Sequence, residues 1–407
     1  NLTEFLDTGW IDQDPMKGGT KLPVGLLTEM LGKTFGDRLK FNTLSLFPEF
    51  DGQEIGANII ENFYIDLDRI GWRIDKNRAI DGLKYAASQN SYHPPTEYFL
   101  NLEKDNSVYP VDANRLASEF LDTNDPLYDV FLKTWGIGAV SRALEPGIKF
   151  DYMLVLQGEQ GIGKSTFFRA LTPSEDWFCD TWTPNRQELL MQVNTHFIYE
   201  HAELEMLTGK RAVGEVRALI TRQIDAFKPP YGRGLVKPPR PSVMCGTVNS
   251  QEFLEDKEGN RRFMVCHLPH TFRNPINVKK VAQERDSIWK SLLNAWRNGE
   301  QNYLSNEYQE ESNRRNALFE TDPIFLEPLR QWTNNGFKQW FKLDEAVIES
   351  GIRTRETYKK ADQKPAAEAL RKLGYVKKDR RINGDHANWW HLPVESVGSG
   401  ESSDTTP

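Results

Sequence analysis

The chain has 407 residues, enough for two or three domains, and its 38% hydrophobic and 27% charged residues are the balance of a soluble protein. No uninterrupted apolar run is long enough for a membrane span and none reads as a signal peptide, which predicts a cytoplasmic protein with no membrane partner. A net charge of −7 excludes a globally basic nucleic-acid binder, and three widely spaced cysteines (Cys179, Cys245, Cys266) fit neither a zinc site nor a disulfide scaffold.

Residues 1–115 read as a mostly helical domain. A helix opens at Val24–Leu31, and another runs from Asp75 to Ser88 with Ile80, Leu83 and Ala87 at helical spacing. Ser91-Tyr92-His93-Pro94-Pro95 breaks the pattern. Residues 116–320 form the next domain. A helix is expected over 125–147, with Val130, Phe131, Trp135, Ile137 and Val140 apolar, ended by Pro146-Gly147. Strands are expected at 152–157, 196–200, 242–247 and 262–267, alternating with helical stretches, which predicts a three-layer α/β core. Residues 280–320 read as helical, with Ile288, Trp289, Leu292, Leu293 and Trp296 on one face. A third, smaller domain covers 321–394: helices at Leu326–Trp340 and Pro365–Leu373, then two short strands, Gly374–Val376 and Asn388–Leu392, around a basic turn at Lys377–Gly384. The tail 395–407 is Ser, Gly, Thr and Asp and reads as disordered.

The strongest motif is Gly158-Glu159-Gln160-Gly161-Ile162-Gly163-Lys164-Ser165, followed by Thr166. It fits G-x-x-x-x-G-K-[ST], between the apolar run Met153–Leu156 and the helix-like Phe167–Leu171. Glycines let the backbone curl so that successive N–H groups face an anion, and the helix N-terminus adds its dipole. The pattern points to ATP or GTP: Lys164 to neutralise the β- and γ-phosphates, Ser165 to place its hydroxyl on Mg²⁺.

Such a site needs an acid at the end of a neighbouring strand. His196–Leu204 supplies Glu200 as the candidate on the metal side and Glu203 as the candidate base; His201 stands where a second adjacent acid is usual, so the division of labour stays open. Ser242–Val248 reads as a strand ending at Asn249, placed to orient a lytic water. Arg261 and Arg262 follow a Gly259-Asn260 turn; either one reaching a neighbouring subunit would be an arginine finger, worth roughly 10³–10⁵ in rate where such fingers are known. Between the acid and Asn249, residues 222–237 interleave basic and aromatic residues around Pro and Gly. Lys228, Tyr231, Arg233 and Lys237 there suit contact with a phosphate backbone.

In this order the motifs resemble the virulence-associated E family, AAA+ ATPases of phages and mobile islands related to superfamily 3 helicases. The resemblance runs from Tyr92-His93-Pro94 through Ala143–Gly147, Gly158–Thr166, Tyr199–Leu204, Tyr231-Gly232-Arg233, Gly246–Asn249 and Gly259–Phe263. It departs at His201, where the family more often has Leu, and near Lys228, where it has Arg. The resemblance implies ATP and Mg²⁺ as cofactors and an oligomeric ring, expected as a hexamer, with hydrolysis at subunit interfaces. It further implies single-stranded or forked DNA as partner, a primase domain or partner, and a role in replication inside the host cell. In the C-terminal domain, residues 353–382 hold eleven Lys or Arg against four Asp or Glu, and their arrangement resembles a winged helix with Lys377, Lys378, Arg380 and Arg381 on the wing. The expected function is an ATP-dependent DNA helicase or translocase. The alternatives are an ATP-driven DNA-binding switch, a small-molecule kinase, for which Arg261 and Arg262 have no use, and a DNA-packaging motor.

Overall fold

A computed structural model describes residues 21–69, 71–202, 204, 210–229, 234–254, 259–320, 323–336, 338–382 and 384–393. The predicted tail 395–407 and the candidate residues Glu203, Tyr231 and Arg233 lie outside the described residues. The chain divides into two compact units, 1–319 and 320–407.

The first unit begins with α1 (Val24–Phe35), α2 (Ala57–Arg69) and α3 (Lys76–Ser88), of which α1 and α3 were expected. The sequence reading missed the sheet that accompanies them: β1 (Leu39–Asn42), β2 (Phe47–Phe50), β3 (Gln53–Glu54) and β4 (Ser91–Tyr92), in the order β3-β2-β1-β4. These strands have two to four residues, too few for a period of two to register. Helices α4 (Pro94–Lys104) and α5 (Leu116–Phe120) lead into α6 (Pro126–Leu144).

The centre of the unit is a five-stranded sheet, every pair parallel: β5 (Met153–Gln157), β6 (Phe178–Cys179), β7 (Ile198–His201), β8 (Val243–Val248) and β9 (Phe263–His267), in the order β6-β7-β8-β5-β9. Four of the five are the predicted strands, offset by one or two residues. They are continuous apolar runs because both sheet faces are covered. Leu154, Leu156, Met264 and Cys266 face one apolar cluster with Trp135 of α6, Phe168 of α7 (Lys164–Leu171) and Trp289 of α10 (Val278–Arg297). Met153, Val155, Phe263 and Val265 face the other, with Val193 of α8 (Arg186–Thr195) and Leu219 of α9 (Lys210–Ile220). The mixed α/β fold with a parallel sheet is therefore as expected from the alternation of strands and helices.

Helix α6 is buried on nearly every side. A β-carbon on Gly138 would stand 2.3 Å from the Phe150 ring, so only the missing side chain lets ring and helix meet. Gly138→Ala is expected to destabilise the protein by about 1–3 kcal/mol through overpacking, read as a lowered thermal midpoint. An unchanged midpoint would mean that the ring has room to move.

After α10 the first unit closes with α11 (Asn306–Asn316). The second unit holds α12 (Leu326–Asn335), α13 (Leu343–Glu349), α14 (Gln363–Lys372) and a hairpin of β10 (Val376–Ile382) and β11 (Asp385–His391). Two expectations are corrected. The helix predicted to reach Trp340 stops at Asn335 before Gly336, and Phe341 instead pairs with Trp390. The basic run read as a turn is strand as far as Ile382; its charged side chains carry no apolar alternation by which to recognise it.

Candidate functional site

Parallel strands end along one edge, and that edge gathers the site. Gln157 of β5 is level with Val248 of β8 and His267 of β9. The Gly158 loop leaves β5 there, Asn249 follows β8, and Glu200 sits near the end of β7. Gly161 (φ 81°) and Gly163 (φ 92°) take the left-handed conformation the curl requires. The loop is braced on one side by the Gly158 N–H donating to Val248 O (3.2 Å) and on another by the Ile276 N–H donating to Ile162 O (3.0 Å).

Lys164 is buried, and its Nζ donates to Gly158 O (2.9 Å), Glu159 O (2.8 Å) and Asn249 Oδ1 (2.9 Å). Asn249 thus meets the phosphate-loop lysine directly instead of capping a helix. Glu200 is fully buried. Its Oε1 accepts from Ser165 Oγ (2.7 Å) and from Thr247 Oγ1 (2.7 Å), while its Oε2 is buried with no hydrogen-bond partner. Burial pushes the Glu200 carboxyl above the ordinary range, and the two hydroxyl donors only partly oppose it. A buried carboxyl oxygen without a donor among the described residues is the feature a cation would satisfy, so Ser165 and Glu200 fit Mg²⁺. Thr247 went unread as a site residue. Its signal is a hydroxyl inside an apolar strand, two places before Asn249. His201 is buried with its imidazole held below its usual pKa by burial, hence neutral at pH 7.

Arg261 and Arg262 are not brought to this edge. They lie in a 3₁₀ turn, Asn260–Arg262, before β9, whose first residue is level with Met153 at the start of β5. At ~3.3 Å per residue the strand places them about 15 Å from the loop of their own chain. Arg261 is exposed; Arg262 is half-buried, and burial with the adjacent Arg261 lowers its pKa. Arg217 stacks into the same turn, its Nη2 donating to Asn260 Oδ1 (2.9 Å).

Residues 222–240 also leave from this far edge. Antiparallel bridges Ile224–Pro239 and Phe227–Val236 pair 222–229 with 234–240 as the two arms of a hairpin, with Lys228, Lys237 and Leu235 exposed. Its root is a buried ion pair: Arg240 Nε and Nη2 donate to Asp225 Oδ2 (2.8 and 2.5 Å), joined by Asn194 Nδ2 (3.0 Å). Of the C-terminal candidates, Lys378 and Arg380 lie on one face of β10, and Lys377 and Arg381 on the other. All four are exposed.

The virulence-associated protein E-like domain is matched over residues 109–321. Among solved structures, the apo NrS-1 C-terminal region (305–718) in its A form is similar over 90% of this chain and 88% of that one, at 14% identity and a TM-score of 0.46. Another apo structure of the same region matches over the same shares at 13% identity and the same TM-score. No curated protein matches.

Proposed function

We propose that this chain, which belongs to the virulence-associated protein E-like family, is an ATP-driven motor that moves on DNA as a ring, an AAA+ helicase or translocase. The observation that carries the reading is the convergence of Lys164, Asn249, Ser165 and Glu200 at one edge of a parallel sheet in which β8 lies between the loop strand and the acid strand. Helix α12, the Phe341 bridge, α13, α14 and the hairpin follow one another in winged-helix order, which supports a DNA-binding second unit. No described helix is long and apolar enough to cross a membrane.

Bound Mg²⁺–ATP would supply an electrophilic phosphorus and a clamp on the phosphate oxygens. Lys164 would hold the β- and γ-phosphate oxygens. Ser165 and the Glu200 Oε2 would hold the metal side, and Thr247 fixes the carboxyl group through Oε1. Asn249, whose Oδ1 accepts from Lys164 Nζ, is the group that would orient water at that phosphate. Glu203 remains the candidate base. Arg261 or Arg262, about 15 Å from their own loop, would serve a neighbouring subunit's γ-phosphate. The hairpin is rooted next to β8, so a shift at Asn249 passes along that strand to Lys228 and Lys237.

The test is ATP turnover with and without single-stranded DNA, together with strand displacement on a forked substrate. Stimulation by DNA and displacement are expected, both absent in Lys164→Ala. Turnover indifferent to DNA overturns the motor; turnover with DNA binding but no displacement leaves a switch.

A further inference from the structure

The second unit carries a surface that the nucleotide site does not use. Its hairpin is a sheet of three rows, because Phe341 and Trp390 exchange both backbone hydrogen bonds (3.2 and 2.8 Å). Residues directly opposite in such a ladder share a face. Phe341 and Trp390 point inward and are buried with Leu329, Leu370 and Tyr375. Their neighbours therefore point outward in pairs: Trp340 with His391, and Lys342 with Trp389. Contacts agree, with the Trp340 and His391 rings 4.0 Å apart at 34° and Lys342 Nζ 5.3 Å from the Trp389 ring centre. From β10 the same face receives Lys378, opposite Trp389, and Arg380, whose guanidinium lies 4.9 Å over Trp340.

Rings and cations thus alternate across an outward face. The core of the unit is filled from the other side, so these rings are not needed for packing there. Trp340, Trp389 and His391 are half-buried beneath flexible cationic side chains, and Lys378 and Arg380 are exposed. Lys342 is also paired with Asp385, which an incoming phosphate would replace.

We propose that this face binds single-stranded DNA, stacking bases on Trp389 and Trp340 while Lys342, Lys378 and Arg380 hold phosphates. The cations Lys342, Lys378 and Arg380 favour a polyanion. The rings favour unpaired bases, since a duplex keeps the π-faces of its bases stacked on one another and a single strand offers them. The proposal rests on the reading that the protein acts on DNA, and it makes the hairpin a grip on the separated strand.

The test is anisotropy of labelled oligo-dT, about 20 nucleotides long, and of a duplex of the same length, titrated with the full chain at several salt concentrations. Trp340→Ala/Trp389→Ala is expected to weaken oligo-dT binding roughly tenfold or more with duplex binding and salt slope unchanged. Lys378→Ala/Arg380→Ala is expected to lower the salt slope by about 1.4. Trp340→Phe/Trp389→Phe, which keeps the stack, is expected to bind nearly as wild type, and oligo-dT is expected to quench wild-type tryptophan fluorescence. Equal losses on duplex and single strand overturn the proposal, as do an unaffected alanine pair or absent quenching. If Lys228→Ala/Lys237→Ala alone abolishes oligo-dT binding, this face falls while the motor reading stands. If wild type binds no oligonucleotide and its turnover ignores DNA, both fall.

Discussion

Glu200→Gln is expected to lower ATP turnover by about 10²-fold or more while making the nucleotide-free protein more stable at neutral pH. Glutamine keeps the shape and the Oε1 acceptor for Ser165 and Thr247 but removes the charge that would meet the metal. Nucleotide binding without Mg²⁺ should persist, because Lys164 and the loop amides are untouched. The stability gain has a definite sign. Burial raises the folded-state pKa of Glu200 above its unfolded value. The stability tied to its proton is complete below the unfolded carboxyl pKa and is lost as pH rises through the folded one. As pH rises the wild type therefore loses stability that the glutamine variant, which does not titrate, keeps. Thermal midpoints compared across pH should show the variant ahead at neutral pH, with the gap closing toward acid. Turnover within a few-fold of wild type would leave Glu200 a structural residue.

Asp225→Ala is expected to cost about 3–5 kcal/mol. Asp225 and Arg240 are both fully enclosed, and Arg240 spends its remaining fork on Leu219 O (2.6 Å). Arg142 lies nearby and is itself buried; burial first, and repulsion from Arg240 second, lower its pKa to about 9, with Asp225 acting against both. Removing the carboxylate leaves two enclosed guanidinium groups with their nearest counter-charge gone. Asp225→Leu/Arg240→Met, which removes both charges together, should be less destabilised than Asp225→Ala. A denaturant series on the two variants measures this, and equal losses would mean that the pair's geometry, not its charge, holds the hairpin root. The hairpin's exposed Lys228 and Lys237 depend on that root for their position, so DNA stimulation of turnover should fall with it.

Much of the site was legible because its requirements are local. Gly161 and Gly163 are glycine for their backbone angles, Lys164 and Ser165 follow them directly, and β5, β8 and the run into β7 are mainly apolar, as is β9 up to His267. Thr247 was not legible, since its use depends on β8 lying beside β7. The short strands β1–β4 were not legible either, nor was β10, whose seven residues include five charged ones.

The sequence by itself determined the glycine-rich loop with its lysine and serine, which acid and asparagine follow in order, and which segments are basic. Those properties are written in backbone freedom, side-chain chemistry and periodicity, all of which act within a few residues. The tertiary structure alone decided which groups share a place. Parallel register carried Lys164, Asn249 and Glu200 to one edge and left Arg261 and Arg262 at the other. Burial closed the Asp225–Arg240 pair beneath a hairpin, and one backbone bridge at Phe341 turned scattered tryptophans and lysines into a face. Contacts between distant segments depend on strand order and register, which the whole core selects through burial and no single segment encodes.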